Sequence, residues 1–195
     1  MISIKEMIRV IIGAMGLASL AQPALADGFF MQTDAGRDTR SFVTTVAKGP
    51  WNFGLNLSDY EGGSSAITSV TYAFPLGEVA VLKLGPSIGL LRENGAWGDP
   101  EPGVKLSLDR YTATPFGSVY GLIELNSIDA AWFVLAQLTL QQQRLSFELS
   151  DGGSDSYRET TIAVQKKLSD GPASLRFGYK LRSEEVFIGF NINTF

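Results

Sequence analysis

Leu175-Arg176-Phe177-Gly178-Tyr179-Lys180-Leu181-Arg182 changes character at every step, apolar at odd positions and basic or glycine at even ones. Side chains two apart share a face only in an extended chain, so the octet is a strand with one apolar and one polar side. The following run repeats the pattern, with Val186, Ile188, Phe190 and Ile192 opposing Gly189, Asn191 and Asn193. Earlier runs do the same. Leu145, Phe147 and Leu149 oppose Arg144, Ser146 and Glu148, and Trp132, Val134, Ala136, Leu138 and Leu140 oppose Gln137 and Thr139. Val104, Leu106 and Leu108 oppose Lys105, Ser107 and Asp109, while Ala80, Leu82, Leu84, Ile88 and Leu90 oppose Lys83, Gly85, Ser87 and Gly89. No window after Asp27 shows the 3.6-residue period of a helix.

Turn residues punctuate these runs, alternately tight and longer. Lys48 to Pro50, Pro75 to Gly77, Thr112 to Pro115, Gln141 to Gln143 and Ser169 to Pro172 are short. Asp34 to Thr39, Tyr60 to Ser65, Arg92 to Gly103, Asn126 to Ala130, Asp151 to Ser156 and Ser183 to Glu185 are longer or more polar. This predicts an all-β, antiparallel, up-and-down meander with short turns on one rim and long loops on the other. Twelve strands result when the weak first run, Gly28 to Thr33, is counted; merging weak runs gives ten or eight.

The faces decide between a soluble and a membrane barrel. The apolar face is nearly free of charge, and the other carries Gly, Ser, Thr, Asn and Gln with isolated charges. Charged residues are 18% of the chain, against about 25% in soluble domains. Small polar residues suit a confined interior, so the apolar face is expected to meet lipid. Lys166 breaks that face but sits close enough to a turn to snorkel. Trp51, Phe74, Phe116 and Phe195 beside short turns, and Tyr60, Trp132 and Tyr157 beside long loops, are expected to form two interfacial aromatic belts.

The first 26 residues read as an export signal. Lys5 and Arg9 precede an eleven-residue apolar run, Val10 to Leu20, and Ala24-Leu25-Ala26 offers a small-x-small site with cleavage between Ala26 and Asp27. The run is far short of the ~20 residues of a spanning helix. Residues 27–195 are then expected to form one barrel domain, formally five charges acidic. With no cysteine, the fold must hold by ladder hydrogen bonds and burial. An acidic chain without a basic run does not suit nucleic acid.

The signal peptide, the meander, the lack of cysteine and the ending Val186-Phe187-Ile188-Gly189-Phe190-Asn191-Ile192-Asn193-Thr194-Phe195 together resemble the bacterial outer-membrane β-barrel proteins. The resemblance covers the whole of 27–195 in architecture and singles out no subfamily. It implies residence in outer-membrane lipid and recognition of the last strand by the barrel-assembly machinery. Members usually place the terminal Phe on the apolar face. Phe195 has the parity of Asn191 and Asn193, which requires a bulge or a frayed end near Thr194.

Histidine is absent. The outer-membrane enzymes that such a chain could resemble, among them phospholipases, lipid A deacylases, palmitoyltransferases and omptin-type proteases, use His as base or shuttle. Cysteine nucleophiles and His-bearing zinc sites are likewise excluded. The sequence therefore implies no enzyme and no cofactor. Asp151-Gly152-Gly153-Ser154-Asp155 lacks the ligand spacing of a calcium loop, and Asp99-Pro100-Glu101-Pro102 reads as a rigid acidic loop.

The polar face carries seven basic residues, Lys83, Lys105, Arg144, Lys167, Arg176, Lys180 and Arg182, against Asp109, Glu124 and Glu148. A net-basic lumen is expected. Two readings follow: a side-chain-filled barrel acting structurally or through its outer loops, and a narrow channel preferring small anionic solutes. A soluble periplasmic or secreted barrel binding a small ligand is the third.

Overall fold

A computed structural model describes residues 27–93, 95–155 and 157–195; the expected signal peptide lies outside them. The described residues form thirteen strands: β1 (Gly28–Ala35), β2 (Arg40–Lys48), β3 (Trp51–Tyr60), β4 (Gly63–Leu76), β5 (Ala80–Glu93), β6 (Ala96–Trp97), β7 (Glu101–Thr114), β8 (Gly117–Asn126), β9 (Trp132–Leu140), β10 (Leu145–Gly153), β11 (Arg158–Lys167), β12 (Ala173–Lys180) and β13 (Glu185–Asn193). β6 is a two-residue stub folded against the end of β5. The other twelve pair in sequence order, β5 with β7, and β1 closes on β13 from Phe30↔Asn193 to Ala35↔Ile188. The result is a closed antiparallel barrel of twelve strands without a free edge.

Ladder register puts the expected faces where alternation placed them. Ser41, Asn56 and Ile67 turn inward on neighbouring strands, as do Lys105, Glu124 and Phe133 further round. Leu175, Phe177, Val186 and Ile188 point out, between 48% and 64% exposed. The protein is inside out by soluble standards, its bulky apolar side chains outside and its buried side chains mostly polar. Lys166 Nζ reaches the Gln143 carbonyl, 2.8 Å away in the adjacent turn, and so leaves the apolar face for the rim.

The rims depart from expectation. β1 starts and β13 ends at one rim (the terminal rim), whose turns span two to five residues, and most connections at the opposite, distal rim are equally short. The polar stretches expected as loops are largely zipped into strands: β4 starts at Gly63, β7 at Glu101, and β10 runs through Gly153. Pairing satisfies their backbone groups whatever their side chains. Among the described residues, the connection from β5 to β7 is the one longer excursion. In the tight β2–β3 turn Gly49 takes φ +54°, the left-handed region that glycine enters without cost. Asp27, the first residue after the expected cleavage site, accepts a hydrogen bond from the Gly49 amide and pairs with Lys48.

At the carboxyl end the ladder simply stops at Asn193. Thr194 binds the backbone of Phe29, and the Phe195 ring lies where a side chain on Gly28 would stand. Gly28 shares the inward parity of Gln32 and Asp34, so Phe195 covers the lumen side of the terminal rim and no bulge is needed.

Candidate functional site: the lumen

Of the residues expected in the lumen, Lys83, Lys105, Asp109, Glu124, Glu148, Lys167, Arg176 and Lys180 occupy inward positions. Arg144 and Arg182 do not. Arg144 sits in the β9–β10 turn with φ +53° and pairs with Asp170 at 2.6 Å on the terminal rim. Arg182 follows the end of β12, in the β12–β13 turn at the distal rim. Lys167 is the last residue of β11 and is exposed at the terminal rim.

The remaining charges form two groups on opposite walls. One is built around Arg176 on β12. Its Nη1 and Nη2 donate to the two oxygens of Glu148 at 2.6 and 2.7 Å, a bidentate fork, and Nε donates to Asp34 at 3.1 Å. Arg176 thus spans from β10 to β1, two strands either way. Glycines on β13 and on β12 itself make this reach feasible. A Cβ on Gly189 would stand 2.0 Å from the Asp34 carboxylate, and one on Gly178 would stand 2.4 Å from the Phe187 ring. That ring turns inward and lies under the guanidinium, with Arg176 Cζ 5.4 Å from its centroid. Gln165 adds a donor to Glu148 at 3.0 Å. The Arg176 and Glu148 side chains are only 2% and 3% accessible, so this is a dry, structural network.

Towards the distal rim the same wall continues in Lys180, Thr39 and Glu185, which share a hydrogen-bonded cluster. Glu159 accepts the backbone amides of Arg182 and Ser183 at 2.8 and 3.1 Å and so fastens the β12–β13 turn.

The second group faces it from β5, β7 and β8. Lys83 pairs with Asp109 at 2.6 Å and Lys105 with Glu124 at 2.7 Å. Their side chains keep 14–27% of their surface, so these pairs are more accessible than the Arg176 network.

The expected basic excess is therefore corrected. Asp34, Glu159 and Glu185 also face inward, as do Glu93 and Glu101 at the distal ends of β5 and β7, so eight carboxylates meet five cations on the inner wall of the described strands. Alternation could have found all five. Asp34 shares parity with Gln32, Glu93 with Gly89, Glu101 with Lys105, Glu159 with Thr161, and Glu185 with Phe187, but all except Glu159 lie in stretches expected as loops.

Apart from Tyr60 at the distal end of β3, β2, β3 and β4 present only small or medium side chains between the charged walls, including Val43, Thr45, Ala47, Asn52, Gly54, Asn56, Ser69 and Thr71. None of these can cross a barrel of twelve strands.

No family model and no curated protein sequence matches the chain. Its barrel is similar in shape to the solved structure of a KdgM porin, with a TM-score of 0.53 and 10% identity over 85% of this chain and 98% of that one. It is likewise similar to a KdgM porin in complex with disordered oligogalacturonate, with a TM-score of 0.50 and 9% identity over 85% and 97%. The barrel fold is shared with those porins. At such identity the likeness concerns architecture, and the lining must be read from this chain's own residues.

Two aromatic placements also differ from the sequence reading. Trp51, Phe74, Phe116 and Trp132 point outward near the strand ends, as an interfacial belt requires, and Tyr72 joins Trp51 in an edge-to-face contact at 5.1 Å. Tyr60 and Tyr157 instead turn inward. Tyr60 shares the parity of Asn52 and Asn56, and Tyr157 that of Glu159.

Proposed function

We propose that this chain is a small, non-enzymatic outer-membrane channel for hydrophilic solutes, with its terminal rim in the periplasm. The observation that carries the proposal is the small-residue wall of β2–β4 facing a charged wall whose side chains are tied to one another along the wall rather than across it. Side chains fill a barrel of about eight strands, and about sixteen leave an aqueous channel. At twelve, filling would need long residues from every wall, and a quarter of this one supplies only Tyr60, at the distal mouth. The shared fold with porins and the outward apolar band support the same reading.

The paired lining implies weak ion selectivity rather than the anion preference that the basic residues alone suggest. A fixed cation beside its carboxylate presents a dipole to a passing ion, and the field of a dipole fades within a few ångströms of screened water. Asp109→Asn with Glu124→Gln frees Lys83 and Lys105 without changing side-chain size. The reversal potential across a salt gradient is expected to lie near zero for the wild type and to move several-fold towards anion permeability in the double variant. A wild-type channel already strongly anion-selective would contradict the pairing.

A second reading, a barrel acting structurally or through its loops, draws support from the inward-turned tyrosines at the distal mouth. In that case the wild type passes no solute.

A further inference from the structure

Tyr60 ends β3 and Tyr157 immediately precedes β11. Around the wall, six strands separate these positions in one direction and four in the other. Residues so placed cannot meet along the sheet. Yet their rings are stacked, with centroids 4.6 Å apart and planes 21° from parallel. The contact is made across the mouth.

We propose that Tyr60 and Tyr157 form an aromatic clasp that divides the distal entrance and sets the largest solute the channel admits. The inference rests on the channel reading above.

Both sides of the clasp are anchored. The Tyr157 hydroxyl donates to Glu159 at 3.3 Å, and Glu159 is itself held by the amides of the β12–β13 turn. The backbone of Ser154 donates to the Tyr157 carbonyl at 2.6 Å, and the Asp155 amide ties this loop to Asp129 in the neighbouring loop at 3.0 Å. On the other side the Tyr60 ring lies over Gly63, where a Cβ would come within 3.0 Å of it. A larger residue there would push the ring out of the mouth. Loop 127–131 narrows the entrance from a third direction. Ile128 is 2% exposed and fills the space left above Gly89 and Gly103. The two stacked rings bridge the gap, so removing either ring should widen the passage without disturbing the charged walls beneath.

The test has two arms. In the first, Tyr60→Cys and Tyr157→Cys are combined in this cysteine-free chain and treated, in the folded barrel, with a short bifunctional thiol reagent. Cross-linking of most of the folded fraction is expected; its absence would overturn the clasp whatever the barrel conducts. In the second, swelling of proteoliposomes is followed in sugars of increasing size for the wild type, Tyr60→Ala/Tyr157→Ala and Tyr157→Phe. All three are first checked for the heat-modifiable migration of folded barrels. The double alanine variant should admit the larger sugars several-fold faster, and Tyr157→Phe, which keeps the stack, should follow the wild type. Swelling only in the double alanine variant would also support the clasp, as a full closure. A size profile identical in all three removes the clasp and leaves the channel standing. Cross-linking with no swelling in any protein removes the channel reading and the size limit with it.

Discussion

Arg176→Met is expected to destabilise the folded barrel by about 3–5 kcal/mol, the range for removing one partner of a buried ion pair. The guanidinium satisfies both oxygens of Glu148 and one of Asp34, and all three side chains are at most 8% accessible. Without it, two carboxylates remain in a site that water scarcely reaches, with Gln165 and Gln32 as their remaining side-chain donors. The cost lies in the stranded charges rather than in the lost pair. Removing all the charge, by adding Asp34→Asn and Glu148→Gln to Arg176→Met, should therefore recover most of the loss. Urea unfolding of the protein in lipid vesicles measures both. A loss below about 1 kcal/mol for Arg176→Met, the value of an exposed pair, would mean that water hydrates the network.

The second large effect concerns the opposite face. Ile188 lies near the middle of β13, points outward and is 64% exposed, so its side chain contributes little packing within the protein. Its neighbours across the ladders, Phe177 and Ala35, also face out. On a soluble barrel Ile188→Arg would be a surface change worth within about 0.5 kcal/mol either way. Facing the middle of a bilayer, the same arginine should cost about 2–4 kcal/mol. Gly189→Ala is unsuited as a control because it strikes Asp34 from within; Glu184→Arg, in the distal turn, should be nearly neutral. A neutral Ile188→Arg in vesicles would return the chain to the soluble, ligand-binding barrel.

Much of this architecture is legible in the sequence because a strand repeats every two residues and a barrel has only two faces. Alternation separates Arg176 from Phe177 and Lys105 from Leu106, and it recovers twelve strands, the weak first one included. Where a ladder stops is another matter. The distal ends of β4, β7 and β10 carry Gly, Ser, Asp and Glu, residues of turns as much as of rims, and only their pairing partners keep them extended. The distal ends of β1, β5, β7 and β13 behave alike, so Asp34, Glu93, Glu101 and Glu185 read as loop residues and the interior as basic. Tyr60 and Tyr157 were misplaced for a related reason. Proximity to a strand end suggests an interfacial belt, whereas parity, once the strand end is fixed, turns both inward. The reach of Arg176 to Glu148 and Asp34 depends on register across four ladders and on Gly178 and Gly189 standing opposite the right neighbours, which no local pattern encodes.

The central claim is that water runs through this barrel. Purified, folded protein, added at low concentration to a planar lipid bilayer, tests it most directly. Discrete, reproducible conductance steps with a reversal potential near zero in a potassium chloride gradient are the predicted result. A bilayer that remains silent after insertion, both for the wild type and for the variant lacking the Tyr60 and Tyr157 rings, would contradict it.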